Sequence, residues 1–458
     1  MKGDTIAAIS TPVGEGGVGM IRISGEEARE VAHRIFVSRR GDLRAAKGYT
    51  AYYGRVCMPD RNLEETIDEA VALVFAAPAS YTGEDVVELS VHGGVYVVRQ
   101  VLRAALAAGA RMAQPGEFTR RAYLNGKLDL TQAESVMQLI SAQGEDALRA
   151  ARSGREGAVS KRVASLKDRL LAVSAAMAAW ADYPDEDIPA LQTETLVREL
   201  AAVETDLQRL LSTYDGGKVL REGVETVIAG RPNVGKSTLM NLLAGCQRSI
   251  VTPVAGTTRD VVEEMVLLGD VRLRLADTAG LRHTQDLVES IGVNKTRERL
   301  SAAGLILAVF DASLPLEEED KELLGLLSGR PAVAVVNKTD LHSQLDLEEV
   351  RQAGAPVVQI AAGAGLGLEE LRRAVEEVVG LSGLDPAAGI LASERQRDCA
   401  AEARACVSEA LGALELGATL DAVGVCLDDA LQALLSLTGE RVTTEVTDEV
   451  FRRFCVGK

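Results

Sequence analysis

Aromatic side chains are scarce in this chain: Phe, Tyr and Trp make up 3% of its 458 residues, with a single Trp. Surfaces that hold single-stranded nucleic acid by stacking need several such rings, so this composition argues against one. Cationic side chains are in deficit too. Lys and Arg number 50 against 67 Asp and Glu, a formal net charge of −17. Attraction to phosphate needs a cationic face, so charge does not draw the whole chain to nucleic acid. The six cysteines form no C-x-x-C pair and make no disulfide framework at this length; a reducing cytoplasm fits that usage. The N-terminal MKGDTIAAIS lacks the apolar region of a secretory signal, and no apolar run approaches a membrane span. The expectation is a cytoplasmic protein without membrane association. What is present is 47% hydrophobic residues, ample for packed cores, in a length that suggests two or three domains.

The texture changes along the chain. Residues 1–122 read as β-rich with some helix, with short apolar runs such as 71–75 and 95–102 between Gly and Pro punctuation. This part carries 15 basic and 15 acidic side chains, so the whole −17 lies downstream. From about Lys127 the spacing turns helical. Val163, Leu166, Leu170, Val173, Met177 and Trp180 form one apolar stripe, suited to bundle packing. Around Val224 strand-like runs (224–229, 271–276, 304–310, 332–336) alternate with helical segments, the pattern of a parallel α/β sheet. It fades near Gly380, where GLSGLDPAAG reads as a linker. Helical texture then returns, with Leu427, Leu431 and Leu434 on one face. Helix-rich parts on both sides of an α/β unit predict an α/β domain looped out of a helical one; four consecutive units is the alternative.

Gly14, Gly16 and Gly19 match G-x-G-x-x-G. A dinucleotide fold needs a helix to open there. The following MIRIS alternates like a strand, so a glycine-rich hairpin or ligand-contact loop is the expectation.

GRPNVGKS at 230–237 matches G-x-x-x-x-G-K-[ST], preceded by the strand-like ETVIAG and followed by the helix-like TLMNLLAG. Backbone N–H groups of Asn233, Val234, Gly235, Lys236, Ser237 and Thr238 can then face phosphate. Lys236 would reach the β- and γ-phosphates of a nucleotide, and Ser237 would ligate Mg²⁺. Asp277, Thr278, Ala279 and Gly280 follow the strand VRLRLA, where Asp277 can approach the Mg²⁺ and the Gly280 N–H the γ-phosphate. Asn337, Lys338, Thr339 and Asp340 form N-K-x-D after AVAVV. The Asp340 carboxylate can accept two hydrogen bonds from a guanine edge, which adenine cannot supply. GTTRD at 256–260 lies where a switch loop must bring a Thr to Mg²⁺. In this order the four elements specify a GTP-binding G domain. The last guanine-contact loop, usually S-A-K, reads Ala361, Ala362, Gly363: a backbone donor survives but the hydroxyl is lost. After D-T-A-G stands Leu281 instead of a water-orienting Gln. Arg282 and Glu289 are local polar candidates for catalysis, or solvated switch residues.

At this point the sequence resembles the MnmE (TrmE) family of bacterial tRNA-modification GTPases over essentially its whole length. The matching motifs are DTIAAISTPVGEGGVGMIRISG, YTGEDVVELSVHGG, PGEFTRRAYLNGKLDLTQAE, GRPNVGKSTL, VAGTTRD, DTAGLR with VESIGV, NKTD and the terminal FCVGK. The resemblance implies a multidomain α/β plus all-α fold. It comprises an N-terminal tetrahydrofolate-binding and dimerisation α/β domain (1–122), a helical domain (123–217 and 381–458), and a Ras-like P-loop G domain inserted in it (218–380). Arg22, Glu88 and Lys127, with Lys458 nearby, are implied to bind 5-formyl-tetrahydrofolate or a related one-carbon folate; without the resemblance, the side chains read as ordinary surface ion pairs. Ser237 and Thr258 are implied Mg²⁺ ligands. Asn233, with backbone oxygens near Thr252, Val254 and Thr257, is implied to hold K⁺, so that the loop Thr252, Pro253, Val254, Ala255, Gly256, Thr257, Thr258 lies against the nucleotide. The K⁺ would stand where an arginine finger places its charge, and Glu289 would position the attacking water.

The family further implies a homodimer and a MnmG-like flavoprotein partner carrying FAD and using NADH, in a heterotetramer. Together they add an aminomethyl or carboxymethylaminomethyl group to C5 of the tRNA wobble uridine. The tRNA is held mainly through the complex. Cys455 is a candidate nucleophile, though with a flavin partner a structural or substrate-proximal role competes. The alternatives are an Era-like ribosome-assembly GTPase, which would want a basic RNA-binding appendage that the sequence after Gly380 does not offer, and a scaffold that binds GTP without hydrolysing it.

Overall fold

The computed structural model describes residues 3–38, 41–59, 66–182, 193–245, 264–275 and 303–458. They divide into two compact units, residues 1–137 with 432–458, and residues 138–431. The architecture is multidomain α/β plus all-α, and each unit is described by itself.

In the first unit, strands β1 (Ile6–Ile9), β2 (Gly19–Ser24), β3 (Phe36–Ser38), β4 (Thr50–Cys57), β5 (Thr66–Phe75), β6 (Val86–Val91) and β7 (Arg111–Met112) form one sheet in the order β3-β4-β5-β6-β2-β1-β7. All pairings are antiparallel except β1 with β7. Side chains alternate across a strand. Ile21, Ile23, Val87 and Leu89 therefore enter the core under the helices Ala28–Ile35 and Val95–Ala107, while Arg22 and Glu88 project from the opposite face. The apolar run at 95–102 is helical, packing Val98, Val101 and Leu102 into that core. The G-x-G-x-x-G glycines open no helix: Gly14 and Gly16 are exposed and β2 starts at Gly19, which excludes the dinucleotide pattern. Near the chain end, Phe451 and Phe454 pack with Leu128, Leu130 and Ala133.

Arg121 lies in the same unit with its side chain 8% exposed, bonded to Asp4, Glu84 and Glu117. Burial alone would raise the Glu117 pKa. Hydrogen bonds from Arg111, the Gln114 N–H and Arg121 outweigh it and hold the carboxyl below its ordinary range.

The second unit holds β8 (Val224–Ala229), β9 (Glu264–Leu268), β10 (Val271–Leu275), β11 (Leu305–Asp311), β12 (Ala332–Asn337) and β13 (Val357–Gln359), in the order β13-β12-β11-β8-β10-β9. The pairings are parallel except the β9–β10 hairpin. Central strand β11 is buried at every residue, as a parallel strand covered on both faces must be. The helix Thr193–Leu211, before the sheet in sequence, packs against Glu394–Glu415, after it. Arg404 reaches Glu204 between them at 3.5 Å. The sheet is thus inserted into a helical part, as the texture predicts. Val163, Leu166, Leu170, Val173 and Met177 are all buried, so the predicted stripe is a packing face; the Trp180 side chain lies outside the described residues.

One reading is corrected. The stretch read as a linker after Gly380 is fixed in place: the Ala387 carbonyl accepts from Ser153, the Ala388 and Gly389 carbonyls accept from Arg162, and Ile390 and Leu391 are buried. Its turn residues end one element and start another, and its carbonyls find donors on neighbouring helices.

The ion cluster gives the first unit an acid sensitivity. The folded pKa of Glu117 lies below its unfolded value, so its contribution is complete above about pH 4.5 and is lost as pH falls through the folded value. Arg121→Met removes the buried guanidinium that Asp4, Glu84 and Glu117 share, leaving Arg111 alone on Asp4 and Glu117, and should cost about 3 kcal/mol near pH 7. In thermal denaturation the gap from wild type should narrow below pH 4.5; a gap constant with pH would contradict this account.

Candidate functional site

The loop between β8 and the helix Lys236–Gly245 has an unusual backbone. Asn233 has φ 64° and Gly235 φ +99°. Asn tolerates the left-handed region better than most side chains, but position 235 admits only glycine, because a Cβ there would lie 2.1 Å from Asn337 Nδ2. Lys236 curls back over the loop, its Nζ donating to the Gly230 carbonyl at 2.5 Å and the Arg231 carbonyl at 2.6 Å. Burial pushes the ammonium below the ordinary lysine range, with Glu319 opposing. A desolvated cation held by carbonyl dipoles fits a polyanionic ligand, whose charge would replace the lost hydration. Ser237 and Thr238 are exposed in the first turn of the helix. Arg231 ties the loop to the helix Glu318–Leu327 through Asp320 at 2.7 Å and through Glu317.

The N-K-x-D residues meet this loop directly. Asn337, 2% exposed at the end of β12, donates from Nδ2 to the Val234 carbonyl at 3.0 Å. Its Oδ1 accepts the Ala362 N–H, also at 3.0 Å. Lys338 donates to the Asn233 carbonyl at 2.8 Å and to Asp311 Oδ2 at 2.6 Å. Burial alone would raise the Asp311 pKa, but Lys338 and Ser313 hold it below the usual carboxylate range. Asp340 stands exposed beyond them. The structure thus brings Asn233, Val234, Gly235, Lys236, Asn337, Lys338 and the Ala361, Ala362, Gly363 loop into one cradle.

Thr252, Pro253, Val254, Ala255, Gly256, Thr257, Thr258, Asp277, Thr278, Ala279, Gly280, Arg282 and Glu289 lie outside the described residues. Among the described residues no group of three or more His, Cys, Asp or Glu could hold a metal. The exposed Ser237 hydroxyl and Asn233 amide are hard oxygen donors of the kind that suits Mg²⁺ or K⁺.

A second cluster lies on the first unit's sheet. Arg22 and Glu88 are cross-strand partners, Nε to Oε1 2.8 Å, each side chain 13% exposed. The Arg22 guanidinium lies 5.5 Å from the Tyr81 ring and 5.6 Å from the Phe118 ring, a cation between two π faces. It also donates to the Gly457 carbonyl at 3.3 Å, which accepts from Ser10 Oγ at 3.2 Å. The chain end passes close over β1: a Cβ at Gly457, φ +95°, would lie 2.3 Å from the Ile9 carbonyl. Lys458 is half-buried here, its pKa lowered by burial and by Arg22, with Glu88 opposing. Lys127 is exposed and donates to the Pro78 carbonyl at 3.1 Å, on the loop that leads to Tyr81. Cys455 is exposed, and its carbonyl accepts the Gly116 N–H at 3.3 Å. The two cations, the carboxylate and the flanking rings fit a flat polar ring bearing carboxylates. Sequence reasoning missed Tyr81, Phe118 and Gly457, although all three lie inside the family motifs; only the fold brings them to Arg22.

Comparison with known proteins decides the family. The model described as GTP-binding protein TrmE N-terminus matches residues 5–127, and the MnmE helical domain model matches residues 130–455. A tRNA modification GTPase MnmE from Heliobacterium modesticaldum is 45% identical over 468 residues, covering 100% of both chains. One from Symbiobacterium thermophilum is 45% identical over 462 residues, again covering 100% of both, and one from Geobacter sulfurreducens is 42% identical over 458 residues, covering 99% of each. The chain belongs to the MnmE family. Arg22 and Glu88 lie within the TrmE N-terminal match, and the phosphate loop and N-K-x-D lie within the MnmE helical match, which spans the inserted sheet.

Gly235→Ala places a methyl group where Asn337 sits, in a backbone region that disfavours it. Binding of a fluorescent GTP analogue should weaken at least about tenfold, from strain and one displaced hydrogen bond. Unchanged affinity would contradict the cradle geometry.

Proposed function

We propose that this chain is a GTP hydrolase of tRNA modification, working in the cytoplasm as a K⁺-stimulated homodimer. With a MnmG-like flavoprotein that carries FAD and uses NADH, it adds an aminomethyl or carboxymethylaminomethyl group to C5 of the wobble uridine. The observation that carries the GTP reading is the double tie from Asn337 and Lys338 to the phosphate loop, with the Asp340 carboxylate exposed beside it. Family membership supports the tRNA reading.

In this mechanism Asp340 accepts two hydrogen bonds from guanine, and Lys236 exchanges its carbonyl partners for phosphate oxygens. Ser237 and Thr258 would hold Mg²⁺, and Asn233, with backbone oxygens of Thr252, Val254 and Thr257, would hold K⁺. When bound, such cations would supply positive charge to offset that of the phosphates. Glu289 orients the water, a task Leu281 cannot perform. Asp277 and Gly280 respond to the γ-phosphate, and the strand before them carries the change away from the nucleotide. In the first unit Glu88 accepts from a pterin ring, while Arg22, Lys458 and Lys127 face the carboxylates of a one-carbon folate such as 5-formyl-tetrahydrofolate. Cys455, fixed through its backbone near that cluster, is a structural or substrate-proximal residue.

The test combines purified protein with cells. Hydrolysis should be at least ~10-fold faster in K⁺ than in Na⁺, and Glu289→Ala should keep GTP binding while losing hydrolysis. In a strain lacking the gene, mass spectrometry of tRNA nucleosides should show the modified wobble uridine restored by wild type and not by Glu289→Ala. Equal rates in the two salts would contradict the K⁺ role. Normal modification in the empty deletion strain would contradict the function.

A further inference from the structure

The hairpin joining β9 to β10 turns at Gly269 and Asp270. From there β10 runs to Leu275, two residues before Asp277 of D-T-A-G. At the turn Asp270 leaves the sheet. Its Oδ1 accepts the backbone N–H of Asp146, 124 positions away, at 3.1 Å. Asp146 stands in the first turn of the helix Glu145–Arg155, whose N-cap is Gly144 with no capping side chain of its own. The first N–H groups of a helix need acceptors, and a side-chain oxygen normally comes from the N-cap residue itself. Here it comes from the inserted sheet.

Gly144 makes the approach possible. Its φ is −129°, extended backbone that other residues adopt, so glycine is present for space and not for conformation. A Cβ at this position would lie 3.0 Å from Asp270 Oδ1. A second contact lies alongside, where Arg272 Nη2 donates to the Ser141 carbonyl at 3.4 Å. The start of β10 therefore touches the helical part on both sides of the bend at 142–144.

The Asp270 contact brings two carboxylates together. Burial and the Asp270 charge both raise the Asp146 pKa, and Arg149 at 3.6 Å opposes them. One hydrogen bond is here set against the repulsion of two carboxylates. A small cavity beside the helix is lined by Gln138, Ser141, Ala147, Leu220 and Ile390.

We propose that Asp270 is a nucleotide-sensitive latch, a cap that the turn before β10 supplies to the helix Glu145–Arg155. Its nucleotide dependence rests on the GTPase reading above; the capping itself does not.

Hydrogen–deuterium exchange on the full chain tests it, with GDP and with a non-hydrolysable GTP analogue in K⁺. In wild type, exchange over residues 144–149 should differ between the two states by about fivefold or more, the value of one lost cap. Asp270→Ala should raise exchange there and erase the difference, with GTP hydrolysis within about twofold of wild type, since one cap carries no catalytic group. Asp270→Asn keeps an acceptor and should retain protection. Gly144→Val should behave like Asp270→Ala with residue 270 intact. The proposal is overturned if GTP binds and is hydrolysed but leaves wild-type exchange at 144–149 unchanged, or if Asp270→Ala leaves the difference in place. A chain that binds no GTP instead overturns the functional reading and the nucleotide dependence of the latch together. Capping is then judged alone, from Asp270→Ala against wild type in buffer: faster exchange keeps it, equal exchange removes it.

Discussion

Asn337 is a buried amide whose two ends serve different loops. Its Nδ2 holds the Val234 carbonyl of the phosphate loop, and its Oδ1 holds the Ala362 N–H of the loop after β13. The side chain therefore fixes the distance between the loop 230–235 and the loop after β13. Lys338 adds a second tie to Asn233, and Asp311 neutralises that ammonium from the end of β11. Three parallel strands thus deliver their carboxyl ends to one place, where ligands bind in open α/β sheets. Removing the amide would leave buried backbone groups without partners, at about 1–3 kcal/mol each, so it serves stability and ligand geometry together.

The sequence made some of this readable and hid the rest for physical reasons. The phosphate loop and N-K-x-D were legible because phosphate and guanine demand fixed residue types at fixed spacing. The helical stripe from Val163 to Met177 was legible because a 3.6-residue period survives without tertiary information. The insertion was legible from texture alone. The bracket of Tyr81 and Phe118 around Arg22 was not, because the three residues lie on separate elements joined only by the fold. The segment after Gly380 misled, since Gly and Pro mark a change of direction and not a freedom to move. Asp270 gave no signal at all: a capping residue is expected next to its helix, and this one is 124 positions away.

The acidic composition takes on a different meaning in this light. Residues 1–122 are charge-neutral and the negative excess lies in the rest of the chain. The Arg22 cluster concentrates cations at one spot instead of spreading them over a surface, as a small carboxylate-bearing ligand requires and a nucleic acid does not. Under the proposed function, the flavoprotein supplies most of the cationic footprint for tRNA. On that same proposal, this chain supplies the nucleotide cycle and the one-carbon ligand.

Under the proposed function, the Asn337-tied cradle reads guanine through Asp340. Nucleotide titration of wild type and Asp340→Asn tests it most directly. An amide at 340 presents a donor where guanine needs an acceptor, and xanthine reverses the demand. Wild type should bind GTP well ahead of XTP. The variant should lose roughly 100-fold in GTP affinity, two hydrogen bonds to a charged group, and favour XTP. A variant that still prefers GTP would contradict the account.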